Sequence, residues 1–493
     1  MIHNVTSERF DTSRWLGKLF GGADGAWYVS GDIADIVEPA TGEVLTCVGV
    51  GNAGTVQAAS RHAAAAQPAW AALAPRERSA VFRRAAMWME QQAGDLARFI
   101  ARESGSILAK ATLEVHEAIN LLNIAAGLPL QPHGLVLPSV PGRHSYARRA
   151  PHGVVGVISP FNFPLVLSMR SVAPALALGN AVVLKPDPQT PVSGGYIIAQ
   201  AFEAAGLPAG VLQVVPGGVD AGIALVEASE VKMLAFTGST AAGRAVGELA
   251  GRHLKKVSLE LGGKNPLIVL DDTDLDVAVS NAAFGAWFHQ GQICMATGKI
   301  LVHRDIAEEF AVRLADKAKR LRVGNPLDDG VAIGPIINVR QLANIHRIVE
   351  ASVGAGAVVR AGGCYSGLFY EPTVLTDVKP GMAAFEEEIF GPVAVLSTFE
   401  SDDEAVELAN QTAYGLSAGV IGKDLSRATA IGERLRCGLL HINAQTVADE
   451  GVNPFGGRGQ SGNGASMGAS ADHDEYTQWQ WITIRPEAAM MPF

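Results

Sequence analysis

Cys294 stands in the run Gly291-Gln292-Ile293-Cys294, 34 residues after Glu260 in Leu259-Glu260-Leu261-Gly262-Gly263-Lys264-Asn265-Pro266. A thiol nucleophile needs exposure and a nearby polar partner, and a small-residue turn downstream of a carboxylate offers both. An isolated cysteine is more often a small buried hydrophobe, but here the neighbouring motifs outweigh that reading. The other cysteines, Cys47, Cys364 and Cys437, are scattered without paired spacing. Free thiols in a reducing compartment follow, with the cytoplasm as the default location.

Further stretches carry polar chemistry at the ends of apolar runs. Ile158-Ser159-Pro160-Phe161-Asn162-Phe163-Pro164-Leu165 follows a strand pattern and precedes a helical one. Asn162 there offers an amide donor at a strand's carboxyl end, where α/β ligands bind. Lys185, in Lys185-Pro186-Asp187-Pro188-Gln189-Thr190, can reach a nucleotide's ribose or phosphate, although an exposed loop lysine ordinarily does nothing. Phe236-Thr237-Gly238-Ser239-Thr240-Ala241-Ala242-Gly243 reads as a strand, a turn and a helix start, whose free N–H groups and dipole suit a pyrophosphate. It is not the six-residue Gly-x-Gly-x-x-Gly fingerprint. Glu386-Glu387-Glu388-Ile389-Phe390-Gly391 ends a loop with a carboxylate and a ring, in an acidic run whose ordinary role is a solvated face.

These residues need a scaffold of alternating strands and helices. Residues 52–128 read as consecutive helices, with Asn52 as a cap and Pro75 in a first turn. From Arg149 short apolar runs appear: Val154–Ile158, Ala181–Leu184, Val211–Val215 and Met233–Phe236. Such runs suit a parallel sheet covered on both faces, so residues 150–260 form a doubly wound α/β unit. A second alternation follows Gly262-Gly263: strand Leu267–Leu270, a helix from Asp274, the Cys294 turn and strand Lys299–Val302. Residues 131–150 and the aromatic tail 476–484 are expected to be edge strands that pair with another part of an assembly. The expected architecture is two doubly wound parallel-sheet α/β domains plus a small β extension.

Composition narrows the classes. Hydrophobic residues make up 48% and charged residues 18% of 493, an ordinary globular balance. A formal charge of −10 without a local basic cluster argues against a nucleic-acid partner. No uninterrupted apolar run suggests a membrane span. The start, Met1 to Arg9, lacks the pattern of a secretory signal. Twelve histidines show no ligand spacing, so no metal site is expected.

Taken in order, these stretches resemble the NAD(P)-dependent aldehyde dehydrogenase superfamily, from Glu38-Pro39-Ala40-Thr41-Gly42 to the tail near Trp479. The runs Lys185–Thr190, His441-Ile442-Asn443-Ala444-Gln445-Thr446-Val447 and Ser461-Gly462-Asn463-Gly464 look like its benzaldehyde dehydrogenase branch. The resemblance implies Cys294 as nucleophile, Asn162 with the Cys294 N–H as oxyanion hole, and Glu260 as the base for thioester hydrolysis. It implies Lys185 at the adenosine ribose, Ser239 at the pyrophosphate with Gly238 and Gly243 as turn glycines, Glu388 at the nicotinamide ribose and Phe390 beside the ring. The cofactor is NAD or NADP, leaning to NAD, and the partners are a small aldehyde and further copies of the chain in a homodimer or homotetramer.

The implied domains are residues 1–130 with 151–260 for coenzyme, 261–440 for catalysis, and 131–150 with 441–493 as bridging and oligomerisation segments. The implied reaction is oxidation of an aromatic aldehyde, most simply benzaldehyde, to the carboxylate. Other aromatic or medium-chain aldehydes, vanillin or salicylaldehyde among them, and a CoA-acylating reaction are the alternatives. Leu165, Leu167, Arg170, Phe288, Ile293 and Met295 are the expected pocket walls. Two departures from the superfamily stand out. Pro188 replaces a Glu that many NAD-preferring members carry, and Ala465-Ser466 replaces an Arg-Glu close.

Overall fold

The computed structural model describes residues 12–468 and 470–493. The reading of the Met1–Arg9 run therefore falls outside the described residues.

Three helices open the α/β part: α1 (Ala53–Ala72), α2 (Pro75–Ser104) and α3 (Leu108–Gly127). Asn52 caps α1 by accepting the Thr55 N–H at 3.1 Å, and the Thr55 hydroxyl answers the Asn52 N–H. Pro75 fixes the first turn of α2, where its missing N–H costs nothing, and Gly105 closes the helix with φ of 71°. Val81, Phe82, Ala85, Met89, Leu96 and Ile100 form the buried stripe of α2. Each large side chain buried there contributes about 1.5–3 kcal/mol.

A seven-stranded sheet follows, in the order Lys256–Glu260, Val231–Thr237, Val154–Ile158, Ala181–Lys185, Leu212–Val214, Lys18–Gly21 and Ala26–Val29. The first five strands are parallel. The last two form an antiparallel hairpin that the sequence reading did not place, so the sheet is mixed. Aromatic packing draws the hairpin in: the ring of Trp27 meets Tyr196 at 5.0 Å and Phe20 at 5.1 Å.

The second seven-stranded sheet runs Val358–Ala361, Thr373–Thr376, Val393–Phe399, Thr297–His303, Asn265–Val269, Ser417–Ile421 and Leu439–Ile442. Only Val358–Ala361 is antiparallel to its neighbour. Asp274 caps the helix Leu275–Trp287, as expected.

The excursion and the tail correct an expectation. Rather than waiting for strands elsewhere in an assembly, they pair with each other: Thr477–Ile484 runs antiparallel to His144–Pro151, which also pairs with Gly134–Val136. Arg149 lies 4.3 Å over the Trp479 ring across this ladder, which fixes the register. The outer strands keep free edges among the described residues, and Trp479 and Trp481 stay 50% and 66% exposed. Among the described residues no helix is long and apolar enough to cross a membrane, and no group of three or more His, Cys, Asp or Glu could hold a metal ion.

Candidate active site

Parallel strands place their carboxyl ends on one edge, and the candidate residues of the first sheet gather there. Asn162 follows Val154–Ile158, Lys185 ends Ala181–Lys185, Gly238 and Ser239 follow Val231–Thr237, and Glu260 ends Lys256–Glu260. In the second sheet they gather at the opposite end. Cys294 precedes Thr297–His303, and Glu388 and Phe390 precede Val393–Phe399. The site lies where the two edges meet.

The Gly262-Gly263 bend brings the pieces together. A Cβ on Gly262 would strike the Glu388 carboxylate, and one on Gly263 would lie 2.6 Å from the Cys294 carbonyl oxygen. Asn265, three residues further, donates to the carbonyls of Cys294 and Ala296, both at 2.8 Å. The run that carries Glu260 therefore also clamps the thiol loop.

On its other side that loop is strained. His289, Gln290 and Gly291 take φ of 49°, 57° and 66°, three left-handed residues in succession. For a residue with a side chain this costs roughly 1–2 kcal/mol. Gln290 offsets it by donating to the carbonyls of Gly105 (2.7 Å) and Pro335 (3.0 Å), and Gln292 accepts the Ile337 N–H at 3.1 Å. Gly291 is required, because a Cβ there would collide with the Gly391 carbonyl.

Asn162 is held from two directions. Its amide donates to the Gln292 carbonyl at 2.9 Å, and its carbonyl accepts the Lys110 ammonium at 2.8 Å. Lys110 forms a wholly buried ion pair with Glu114 at 2.5 Å, one turn along α3. Glu114 also accepts the Leu165 N–H at 2.8 Å, which satisfies the first turn of α4 (Pro164–Ala177). The sequence reading missed this pair. Its i,i+4 spacing was visible, but such pairs are ordinarily solvent-exposed.

One cavity of about 280 Å³ joins Cys294, Asn162 and Glu260. Leu167, Arg170, Phe288, Ile293 and Met295 line it as expected. Leu165 does not: it is fully buried in the core behind α4. The cavity face of α4 is Phe163, Val166, Leu167 and Arg170, a helical spacing from which Leu165 points away. Phe284, stacked on Phe288 at 4.6 Å, and Phe455, Val447 and Asp449 complete walls that the sequence reading missed.

The electrostatics suit a resting thiol beside an idle base. The Cys294 side chain is pushed up to about 12, first by burial, then by the carboxylates of Glu388, Glu260 and Asp449. Glu260 is 4% exposed, and neither carboxylate oxygen has a hydrogen-bond partner among the described residues. Burial holds its carboxyl well above the usual range, against a smaller opposing pull from Arg170. Burial favours the neutral acid, and once ionised so unpartnered a carboxylate is a stronger base than usual and can take a proton from a water. The Cys294 N–H has no acceptor among the described residues, so it is free to donate.

The edge beside this cavity fits a dinucleotide. Ser239 caps the helix Thr240–Arg252 by accepting the Ala242 N–H, which leaves first-turn N–H groups facing outward. Gly238 donates to the Glu260 carbonyl at 3.0 Å, and Gly243 packs on Leu261 with no room for a Cβ. Lys185 is buried, with its ammonium on the Pro186 carbonyl at 3.2 Å and Asp187 and Asp220 nearby. Glu388 accepts the Gly263 N–H at 3.0 Å and is pushed up to about 7 by burial. The Phe390 ring meets Phe161 edge to face at 5.9 Å.

Two α/β sheets meeting edge to edge around a cysteine, an asparagine amide and an unpartnered glutamate define a class of enzyme, and comparison with known proteins gives the same one. The family model "Aldehyde dehydrogenase family" matches residues 27–482. The chain is 53% identical to a vanillin dehydrogenase of an Amycolatopsis strain, over 98% of this chain and 99% of that one. It is 49% identical to a benzaldehyde dehydrogenase [NAD(+)] of Pseudomonas putida, over 97% and 98%. Among solved structures, a betaine aldehyde dehydrogenase of Staphylococcus aureus in complex with NAD+ aligns with a TM-score of 0.93 at 30% identity, covering 97% and 96%. An NADP-dependent enzyme of E. coli aligns with a TM-score of 0.93 at 34% identity, covering 97% and 100%. The chain belongs to the aldehyde dehydrogenase family.

Proposed function

We propose that this enzyme oxidises an aromatic aldehyde, most simply benzaldehyde, to the carboxylate. The observation that carries this reading is the single cavity shared by Cys294, Asn162 and Glu260, whose walls include Phe163, Phe284, Phe288 and Phe455. Such walls suit a flat apolar ring.

The chemistry follows from the residues. The Cys294 thiol loses its proton to solvent, and the thiolate adds to the aldehyde carbon. The resulting thiohemiacetal oxyanion is held by the Asn162 amide and the Cys294 N–H. A bound nicotinamide coenzyme supplies the acceptor for the hydride that leaves this carbon. A thioester remains on Cys294. Glu260 takes a proton from water, the hydroxide adds to the thioester carbon, and the C–S bond breaks to release the acid and the Cys294 thiolate, after which Glu260 returns its proton to solvent. A CoA-acylating reaction needs water kept out, and an unpartnered Glu260 works against that.

Lys185 contacts the adenosine ribose, Ser239 and the turn glycines Gly238 and Gly243 the pyrophosphate, and Glu388 the nicotinamide ribose beside Phe390. The first sheet, with residues 1–130 and 151–260, carries the coenzyme, and 261–440 carries the thiol. A betaine aldehyde dehydrogenase solved with NAD+ and an NADP-dependent enzyme among the similar structures support either coenzyme, with NAD favoured by the NAD(+)-linked benzaldehyde dehydrogenase. The free edges at 134–136 and 477–484 support a homodimer or homotetramer, and a scattering mass near 51.5 kDa at all concentrations would reject it. Four free cysteines suit the cytoplasm.

An aldehyde panel followed by NADH and NADPH formation tests the reading. Aromatic aldehydes should lead in kcat/KM, and Cys294→Ala should abolish turnover while still binding coenzyme. A preference for aliphatic aldehydes, or acid formation only as an acyl-CoA, would overturn it.

A further inference from the structure

The cavity wall contains one charged pair set among apolar groups. Arg170 donates through Nη1 to Asp449 Oδ2 at 2.5 Å, and both residues line the cavity. Arg170 is 96% buried, with its Cζ 5.2 Å from the Phe455 ring. Its Nε and Nη2 are buried without a hydrogen-bond partner among the described residues, and a Cβ added to Gly468 would lie 3.2 Å from Nη2. Arg170 thus sits in the wall and holds Asp449 beside it at the cavity. The Asp449 side chain is 24% exposed, and its Oδ1 has no hydrogen-bond donor among the described residues. Its charge is felt by both Cys294 and Glu260, so the carboxylate faces the same space as the reacting groups. Of the other carboxylates that line the cavity, Glu114 is already engaged by Lys110 and the Leu165 N–H, while Glu117 and Glu450 accept from Asn120 and Asn453.

We propose that Asp449, positioned by Arg170, is the docking point for a hydroxyl on the substrate ring, so that benzaldehydes hydroxylated meta or para to the formyl group are preferred. This rests on the aromatic-aldehyde reading above. The free Oδ1 accepts the phenolic O–H in a charge-assisted bond. The ion pair with Arg170 offsets the carboxylate's charge, so an uncharged ring is not repelled. A ring without a donor forgoes that bond.

The test compares kcat/KM for benzaldehyde, 3- and 4-hydroxybenzaldehyde and the matching methoxybenzaldehydes, which have similar size and no O–H to donate. In the wild type one hydroxy compound should exceed its methoxy counterpart by roughly tenfold or more. Asp449→Leu should collapse the hydroxy-to-benzaldehyde ratio, and Asp449→Asn, which keeps an acceptor, should restore part of it. Equal hydroxy and methoxy values in the wild type would overturn the inference, whether or not the Leu variant folds. So would a ratio that is the same in wild type, Asn and Leu. If the wild type turns over no ring aldehyde at all, the proposed function falls and this inference with it. Good turnover of benzaldehyde with an unmoved ratio removes only the role of Asp449.

Discussion

The Asn162 amide donates to the carbonyl of Gln292, two residues before Cys294, at 2.9 Å. The proposed oxyanion donor and the loop of the proposed nucleophile are thus tied directly, with Lys110 donating to the Asn162 backbone carbonyl. One Asn162 N–H is spent on this tie, and the other can face the oxyanion. Asn162→Ala should lower kcat by roughly 10²–10³. Coenzyme affinity, read by fluorescence titration, should change little. A variant within a few-fold of wild-type kcat would remove Asn162 from the oxyanion hole.

Glu260→Gln should keep a rapid burst of reduced coenzyme while slowing steady turnover by roughly 10²–10⁴, because acylation precedes the impaired hydrolysis. Stopped-flow absorbance separates the two phases. Loss of the burst as well would assign the Cys294 proton to Glu260, whereas two unchanged phases would show that it is not the deacylating base.

Without ligand, Cys294 should be a slow nucleophile at neutral pH. Its thiol is pushed up to about 12 by burial and three carboxylates, and only the thiolate reacts. Raising the pH removes the proton, so alkylation by iodoacetamide should rise roughly tenfold per pH unit from about 7 to 9. Mass spectrometry of the Cys294 peptide measures it, with exposed Cys364 as an internal comparison. A rate at Cys294 that does not change over this range would mean that the thiolate is already formed.

Pro188→Glu should raise the NAD+/NADP+ ratio of specificity constants, chiefly by weakening NADP+, since a carboxylate beside Lys185 repels a 2′-phosphate. Asp187 is already close to Lys185 but buried, with its Oδ1 accepting the Gln189 N–H at 2.9 Å. If the wild type already rejects NADP+ by several orders of magnitude, Asp187 or another group supplies the repulsion and the argument from Pro188 fails.

The parts of the site readable from sequence are those carried by short contiguous runs. Glu260 with its Gly-Gly bend, the Cys294 turn and the Asn162 loop are each legible because local backbone geometry dictates the residue types. The sheet strands were legible for the same reason, as apolar runs closed by turn residues. What escaped depends on distance along the chain. Asp449 is 279 positions from Arg170, and nothing local marks it as facing a cavity. The hairpin at 18–29 joins the first sheet through rings of Trp27 and Tyr196, 169 positions apart. Leu165 was misplaced because a helix start predicts a periodicity but not which stripe faces the core. The excursion and tail were correctly read as β-prone, but sequence did not reveal that 131–150 and 476–484 were each other's partner.

The contact between Gly291 and the Gly391 carbonyl puts two turns backbone to backbone: one leads to Cys294, and the other carries Glu388 and Phe390. Neither turn has a side chain to act as a cushion at that point. The proposed nucleophile and the carboxylate proposed to face the coenzyme therefore share one footing of main chain, so the spacing between Cys294 and Glu388 is set by backbone rather than by side-chain packing at that point.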